Sequence, residues 1–197
     1  MIQEKNLSRE HARGSMVYAA GKSGPLWRVT YGVVALQSSS GADGQLVQLA
    51  IAGDLLGIES LCERPYSLEA RALTSCRLDP VGPQGEHERS RSLLMREALL
   101  QQHDRSIDMA ELRTGAVSER LSQLLQLLGH DWRKLQSAPP RTIEAVRCEL
   151  PSLGDLARAI DAQKETVCRA LGRLLPSQKP RRTRAATFLP VTLGLAV

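Results

Sequence analysis

In the N-terminal part of the chain apolar positions alternate with polar ones; further on they recur every three to four residues. Leu26-Trp27-Arg28-Val29-Thr30-Tyr31 alternates, and Val33-Val34-Ala35-Leu36 continues beyond Gly32. Across the turn-rich segment 38–44, Leu46-Val47-Gln48-Leu49-Ala50-Ile51 follows as the partner strand. Period-two alternation marks half-buried strands, and Gly-, Ser- and Asp-rich connections mark the turns between them. The run from Leu68 to Leu78 alternates as well. Several short strands with Gly-rich links predict a small antiparallel β-roll.

The period then changes. Pro80-Val81-Gly82-Pro83-Gln84-Gly85 predicts a linker, and from about Arg89 a stretch without Gly or Pro runs to Arg113 as one long helix, ended at Thr114-Gly115. Leu93, Leu100 and Ile107 repeat every seven residues, with Ala110 at a companion position, which is the spacing of a two-stranded coiled coil. The polar middle at 101–106 keeps a second reading open, a helix packed on its own domain. A further amphipathic helix points Val117, Leu121, Leu124, Leu125 and Leu128 inward.

Near the C-terminus the pattern becomes specific. Ser152 with Asp155 three residues later is a capping box, and Leu156, Ala159 and Ile160 then share a helical face, with Ala157 small enough for a close crossing. Asp161-Ala162 is the predicted turn, because Asp tolerates positive φ better than most residues. In the next helix Val167, Ala170, Leu171 and Leu174 share one face, and Lys164, Glu165, Cys168 and Arg169 lie broadly opposite. Two short helices around a tight turn, the second with a polar outer face, form a helix-turn-helix. The plainer alternative is an amphipathic helix with a solvated charged face.

Charge sharpens this reading. Of 197 residues, 26 are Lys or Arg and 21 Asp or Glu, for a net charge of +5. Residues 1–150 carry 18 of each sign, whereas 151–197 carry 8 basic and 3 acidic side chains. A localised positive field is the footprint of a phosphate-binding module. An anionic membrane would suit it too, but no strongly amphipathic basic helix or lipidation signal accompanies it. The N-terminus lacks a secretory apolar core and no stretch is long enough to span a bilayer, so a cytoplasmic location is expected. Cys62, Cys76, Cys148 and Cys168 lack C-x-x-C spacing, and His11, His87, His103 and His130 are dispersed, so free thiols, no metal and no cofactor are expected. No nucleophile–base cluster or phosphate-cradling Gly loop supports an enzyme.

A β-roll, then a long helix, then a helix-turn-helix is the order of parts in the CRP/FNR family of bacterial transcription regulators, and the residues resemble that family. Glu165-Thr166-Val167-Cys168-Arg169 is similar to its recognition-helix motif, Gly32 and its flanking strands resemble its roll, and residues 150–175 look especially like the cyanobacterial members. The resemblance covers residues 16–175 and implies an α+β fold: an N-terminal antiparallel β-roll (a cyclic-nucleotide-binding-like jelly roll), a dimerisation helix and a C-terminal winged helix-turn-helix. The expected domains are 1–85, 86–114 and 115–197. Relatives carry further strands before the region matching Met16, so this roll is expected to start late.

The resemblance also places sites. Gly53 and Asp54, with Tyr66 and Ser67, match the family's effector pocket, but the Glu and Arg that hold cyclic AMP are missing, and burying a cyclic phosphate without a cation is costly. This argues against cyclic AMP and leaves the effector unknown. Gln101 and Ser106 stand where nitrogen-control members carry the Arg and Glu that bind 2-oxoglutarate, which argues against that ligand too, and no cysteine cluster precedes Cys62 for an iron–sulfur centre. The family's hairpin wing is replaced by Pro- and Arg-rich sequence at 176–184 and a last apolar run interrupted by Pro190, so a basic phosphate-binding arm is expected instead.

The expected function is a homodimeric, sequence-specific regulator on double-stranded DNA, with RNA polymerase as a partner by family resemblance. Arg169 and Glu165 are the expected base readers, with Lys164 and Cys168 beside them. Ser152, Gln163, Thr166, Arg173, Arg181 and Arg182 are expected to hold phosphates. Leu93, Leu100, Ile107 and Ala110 would form the dimer seam. The competing reading is a dimeric ligand-binding or protein-interaction adaptor without specific operator binding.

Overall fold

In residues 8–38, 44–82 and 88–176, which the computed structural model describes, eight strands precede six α-helices. The strands form two four-stranded antiparallel sheets. One runs β1 (Arg9–His11), β8 (Cys76–Val81), β3 (Leu26–Tyr31), β6 (Leu55–Leu56), and the other β2 (Met16–Tyr18), β7 (Glu69–Ala72), β4 (Val34–Ser38), β5 (Gln45–Ala50). Their inner faces meet over Trp27, Val29, Val34, Ala50, Leu56, Ala70, Ala72, Cys76 and Leu78, all buried. Alternation therefore does what it predicts, sending every second side chain into a shared core. The chain reverses between β3 and β4 at Gly32 (φ 89), where a Cβ would collide with the Ser75 carbonyl oxygen, so only glycine fits.

Three details differ from the pattern. The run from Leu68 to Leu78 is not one strand: it turns at Leu73-Thr74-Ser75, so β7 and β8 belong to different sheets. The even-numbered alternation runs on through the corner at Thr74, while Leu73, out of phase with it, is buried under the helices. The roll also starts earlier than expected. β1 pairs Arg9, Glu10 and His11 with β8 through the main chain, and β2 pairs with β7, so strands with little apolar signal are held by their neighbours. Finally, Pro80 is inside β8, opposite Trp27, not in a linker. β1 covers only Cys76, Arg77 and Leu78, so that side of β8 is an edge at Pro80, where a sheet tolerates proline.

The long helix α1 (Glu88–Glu111) has two apolar faces. One packs on the roll: Ala98 is buried with Leu26 and Leu55, beside Leu94, Ile58, Leu61 and Val81. The other is open, with Leu93 60%, Leu100 55% and Ile107 47% exposed and Ala110 exposed beside them. One face therefore packs on the helix's own domain, and the seven-residue stripe is the uncovered one.

Five helices follow: α2 (Val117–Leu127), α3 (Trp132–Gln136), α4 (Pro140–Glu149), α5 (Leu153–Ala159) and α6 (Lys164–Leu174). Their core is continuous with the roll. Val33, Ala35, Leu46, Leu49 and Leu73 from the roll join Met109 and Leu112, then Leu121, Leu124, Leu125, Leu156, Ile160, Val167 and Leu171.

Candidate nucleic-acid interface

The candidate interface starts at Ser152, whose Oγ accepts from the Asp155 N–H at 3.1 Å and caps α5. Such a cap is worth about 1 kcal/mol. The Asp155 carboxylate in turn accepts from the Ser152 hydroxyl at 2.6 Å, so one half of the reciprocal box forms. Leu156, Ala157, Ala159 and Ile160 are buried. Asp161 stands at φ 48, the left-handed conformation that the turn requires, and the Ala162 N–H reaches back to the Ala157 carbonyl at 2.9 Å. That bond closes α5 as a Schellman motif.

Helix α6 then divides cleanly. Val167, Ala170, Leu171 and Leu174 are buried, while Lys164, Glu165, Thr166, Cys168, Arg169 and Arg173 are exposed, as is Gln163 at the N-cap. Gln163 makes no side-chain cap, leaving the first N–H groups of α6 open. Neither Glu165 nor Arg169 forms an ion pair with a described residue, so both keep their hydrogen-bonding edges free. Arg181, Arg182 and the expected wing lie outside the described residues.

Behind the interface stand arginines that no sequence pattern announced. Arg120 of α2 donates from Nη1 to the carbonyls of Ile160 (2.6 Å) and Asp161 (3.2 Å). Arg13 donates to the Leu150 carbonyl at 3.0 Å, Arg158 to Gly44 at 3.0 Å and Arg113 to Leu46 at 2.9 Å. Backbone carbonyls carry no side-chain signature, so spacing cannot forecast such bonds.

The residues matched to an effector pocket separate into two groups. Gly53 donates its N–H to the Val29 carbonyl, and its own carbonyl accepts from Arg28. Asp54 is buried and accepts from the Ile51 N–H at 2.9 Å and from Arg105 at 2.9 and 3.2 Å. Tyr66 is buried, donates its hydroxyl to the Pro25 carbonyl at 2.7 Å, and stacks on Tyr18 with ring centroids 3.9 Å apart. The Tyr66 side chain lies so close to Gly24 and Gly57 that a Cβ at either would collide with it. Burial pushes both phenols above their ordinary range, at Tyr18 with the Glu59 carboxylate adding to it. Ser67 donates its N–H to Glu59 at 2.8 Å. None of the four lines the cavity of about 380 Å³ under the first turns of α1, which is walled by Pro25, Leu26, Leu61, Val81, Arg91 and Leu94.

From the polar middle of α1, Gln101 and Arg105 face the roll, while Gln102, His103, Asp104 and Ser106 are exposed. Glu97 pairs with Arg28 at 2.6 and 3.1 Å, and that hydrogen bond holds the Glu97 carboxyl below its usual range. Gln101 donates to the Leu55 carbonyl and accepts from the Leu55 N–H, at 3.0 and 2.6 Å, so its amide completes the open edge of β6 as a strand would. Arg105 follows four residues later on Asp54.

No family model matches the chain, and no curated protein matches it. Solved structures do. A CRP-family transcriptional regulator of Thermus thermophilus superposes with a TM-score of 0.62 at 23% identity, over 84% of this chain and 83% of its own. FixK2 of Bradyrhizobium japonicum gives 0.60 at 20% identity, over 86% and 84%. The c-di-GMP-responsive global regulator CLP of Xanthomonas campestris gives 0.53 at 18%, over 86% of each chain.

The fold is that of the CRP/FNR regulators. This CRP/FNR-type fold brings Ser152 and the α6 residues from Gln163 to Arg173 into one helix-turn-helix, and it leaves Leu93, Leu100, Ile107 and Ala110 along one open stripe of α1. Cys62, Cys148 and Cys168 are exposed free thiols; Cys76 is buried, and burial pushes its thiol up to about 11. Among the described residues no helix is long and apolar enough to cross a membrane.

Proposed function

We propose that the chain is a homodimeric, sequence-specific DNA-binding transcription regulator of the CRP/FNR type. The observation that carries this reading is α6 itself: one face is locked into the core, and the other holds Glu165 and Arg169 exposed and without ionic partners among the described residues. In a major groove Arg169 would donate in bidentate fashion to a guanine O6 and N7, and Glu165 would accept from a cytosine N4, each contact worth about 1–3 kcal/mol of discrimination. Lys164 and Cys168 flank this pair and tune the neighbouring positions. Ser152, Gln163, Thr166 and Arg173, with Arg181 and Arg182, hold phosphates, which sets register without reading sequence. Two chains pair along Leu93, Leu100, Ile107 and Ala110. Their two-fold axis calls for a palindrome with half-sites about one helical turn apart. The family resemblance adds a GTGA-like half-site and RNA polymerase as partner. Asp54 held by Arg105, and Tyr66 buried on glycines, support a roll that does not take cyclic AMP.

Selection of bound duplexes from random DNA tests the reading. An enriched palindrome, favoured over random sequence by at least about 10³-fold at physiological salt, is the expected result. Arg169→Ala should then relax the preference at one guanine in each half-site by about 1–3 kcal/mol. An unchanged preference would remove α6 as the reader. No enrichment at all would favour the dimeric adaptor.

A further inference from the structure

Asp161 takes a conformation that suits glycine, φ 48, at the corner between α5 and α6. A Cβ in that region crowds the following carbonyl, so something outside the turn has to favour it. The Schellman closure from Ala162 to Ala157 satisfies one helix-end carbonyl. Those of Ile160 and Asp161 instead accept from a single atom, Arg120 Nη1, which arrives from α2 forty positions earlier at 2.6 and 3.2 Å. The Arg120 Nε is buried and has no hydrogen-bond partner among the described residues. Leaving a buried donor unpaired is unfavourable, and the arrangement persists because the same guanidinium secures both turn carbonyls. Helix α2 also packs along the buried face of α6, where Leu121, Leu124 and Leu125 join Val167 and Leu171 in one core. Arg120 therefore holds the turn to the same helix that supports the reading head.

We propose that Arg120 is a positioning residue for DNA readout. By holding the Ile160 and Asp161 carbonyls it fixes the α5–α6 turn, and with it the direction in which α6 presents Glu165 and Arg169. The proposal rests on the reading of α6 as the recognition helix. Bidentate base contacts demand a fixed helix direction, whereas phosphate contacts from long side chains tolerate a small rotation. Loss of the clamp should therefore cost sequence discrimination and spare general affinity for DNA.

The test uses the full chain carrying Arg120→Gln, measured at one salt concentration on the duplex that the wild type selects and on a scrambled duplex. Affinity for the selected duplex is expected to fall about tenfold or more, roughly the value of one base contact. Affinity for the scrambled duplex should stay within about twofold, because its phosphate contacts are unchanged. Adding Asp161→Gly to the same chain should recover most of the loss, since glycine holds φ 48 unaided. Four results would each overturn the proposal: no loss, equal loss on both duplexes, no recovery with Asp161→Gly, or melting of the helices in the Arg120→Gln chain by circular dichroism. A wild type that selects no duplex removes α6 as the reader and the proposal with it, whereas any of those four leaves the reader standing.

Discussion

Asp54 shows how one buried carboxylate can join two distant parts of the chain. It accepts from the Ile51 N–H within its own turn and from Arg105 on α1, and Arg105 also binds Asp108. Removing one member of a buried pair strands the other, at a cost of several kcal/mol, while replacing both with apolar groups is often close to neutral. Asp54→Ala should lower stability by ~3 kcal/mol, the low end for such a loss because Asp108 still faces the guanidinium. Asp54→Leu with Arg105→Met should recover much of that loss. Urea unfolding monitored by circular dichroism measures both, and a change below about 1 kcal/mol in the single variant would mean the pair does not tie the turn to the helix. A matching position read from the sequence assigned Asp54 to a ligand pocket. Its partner lies 51 residues away on another element, a separation that local spacing does not encode.

Helix α1 is where sequence and structure can be compared most usefully. The apolar repeat at 93, 100 and 107 was legible because it is a spacing along one helix, the period that a two-stranded seam would need. The roll-facing side was not, since beside Leu94 and Ala98 it carries Glu97, Gln101 and Arg105, which read as a solvated interruption. The strands β3, β4 and β5 were plain in the alternation; β1 was not, because Arg9, Glu10 and His11 carry no apolar alternation and join β8 through the main chain. Helices α3 and α4 were equally silent, the latter being a mixed stretch that begins at Pro140. By contrast the α5–α6 unit was almost fully legible, since cap, turn and both helix faces are local features. Leu100→Asp tests the seam. Leu100 is 55% exposed in the single chain, so its folding stability should change by less than about 0.5 kcal/mol. Sedimentation equilibrium should instead report a shift from dimer to monomer, and a dimer that survives would place the seam elsewhere.

At the level of the whole molecule, roll and helices are joined by arginines on carbonyls and by a common core. Arg13 reaches Leu150 from the β1–β2 turn, and Arg158 reaches Gly44 from α5. Each bond to a charged donor is worth about 1 kcal/mol at a partly exposed site. Arg13→Ala combined with Arg158→Ala should therefore lower the stability from urea unfolding by ~2 kcal/mol. An unchanged midpoint would mean that these two bonds add nothing measurable to the connection. That core has a further consequence. Val33, Ala35, Leu46, Leu49 and Leu73 belong to the roll by sequence but pack with Leu112, Leu121 and Leu156 of the helical part. A sensor roll is often pictured as a cartridge, exchangeable between regulators by recombination at the long helix. Here a transplanted roll would have to bring five side chains of the right size for helices it had never met. The useful crossover points therefore lie beyond either end of that shared layer, and chimeras joined within it should be recovered only with compensating changes on both sides.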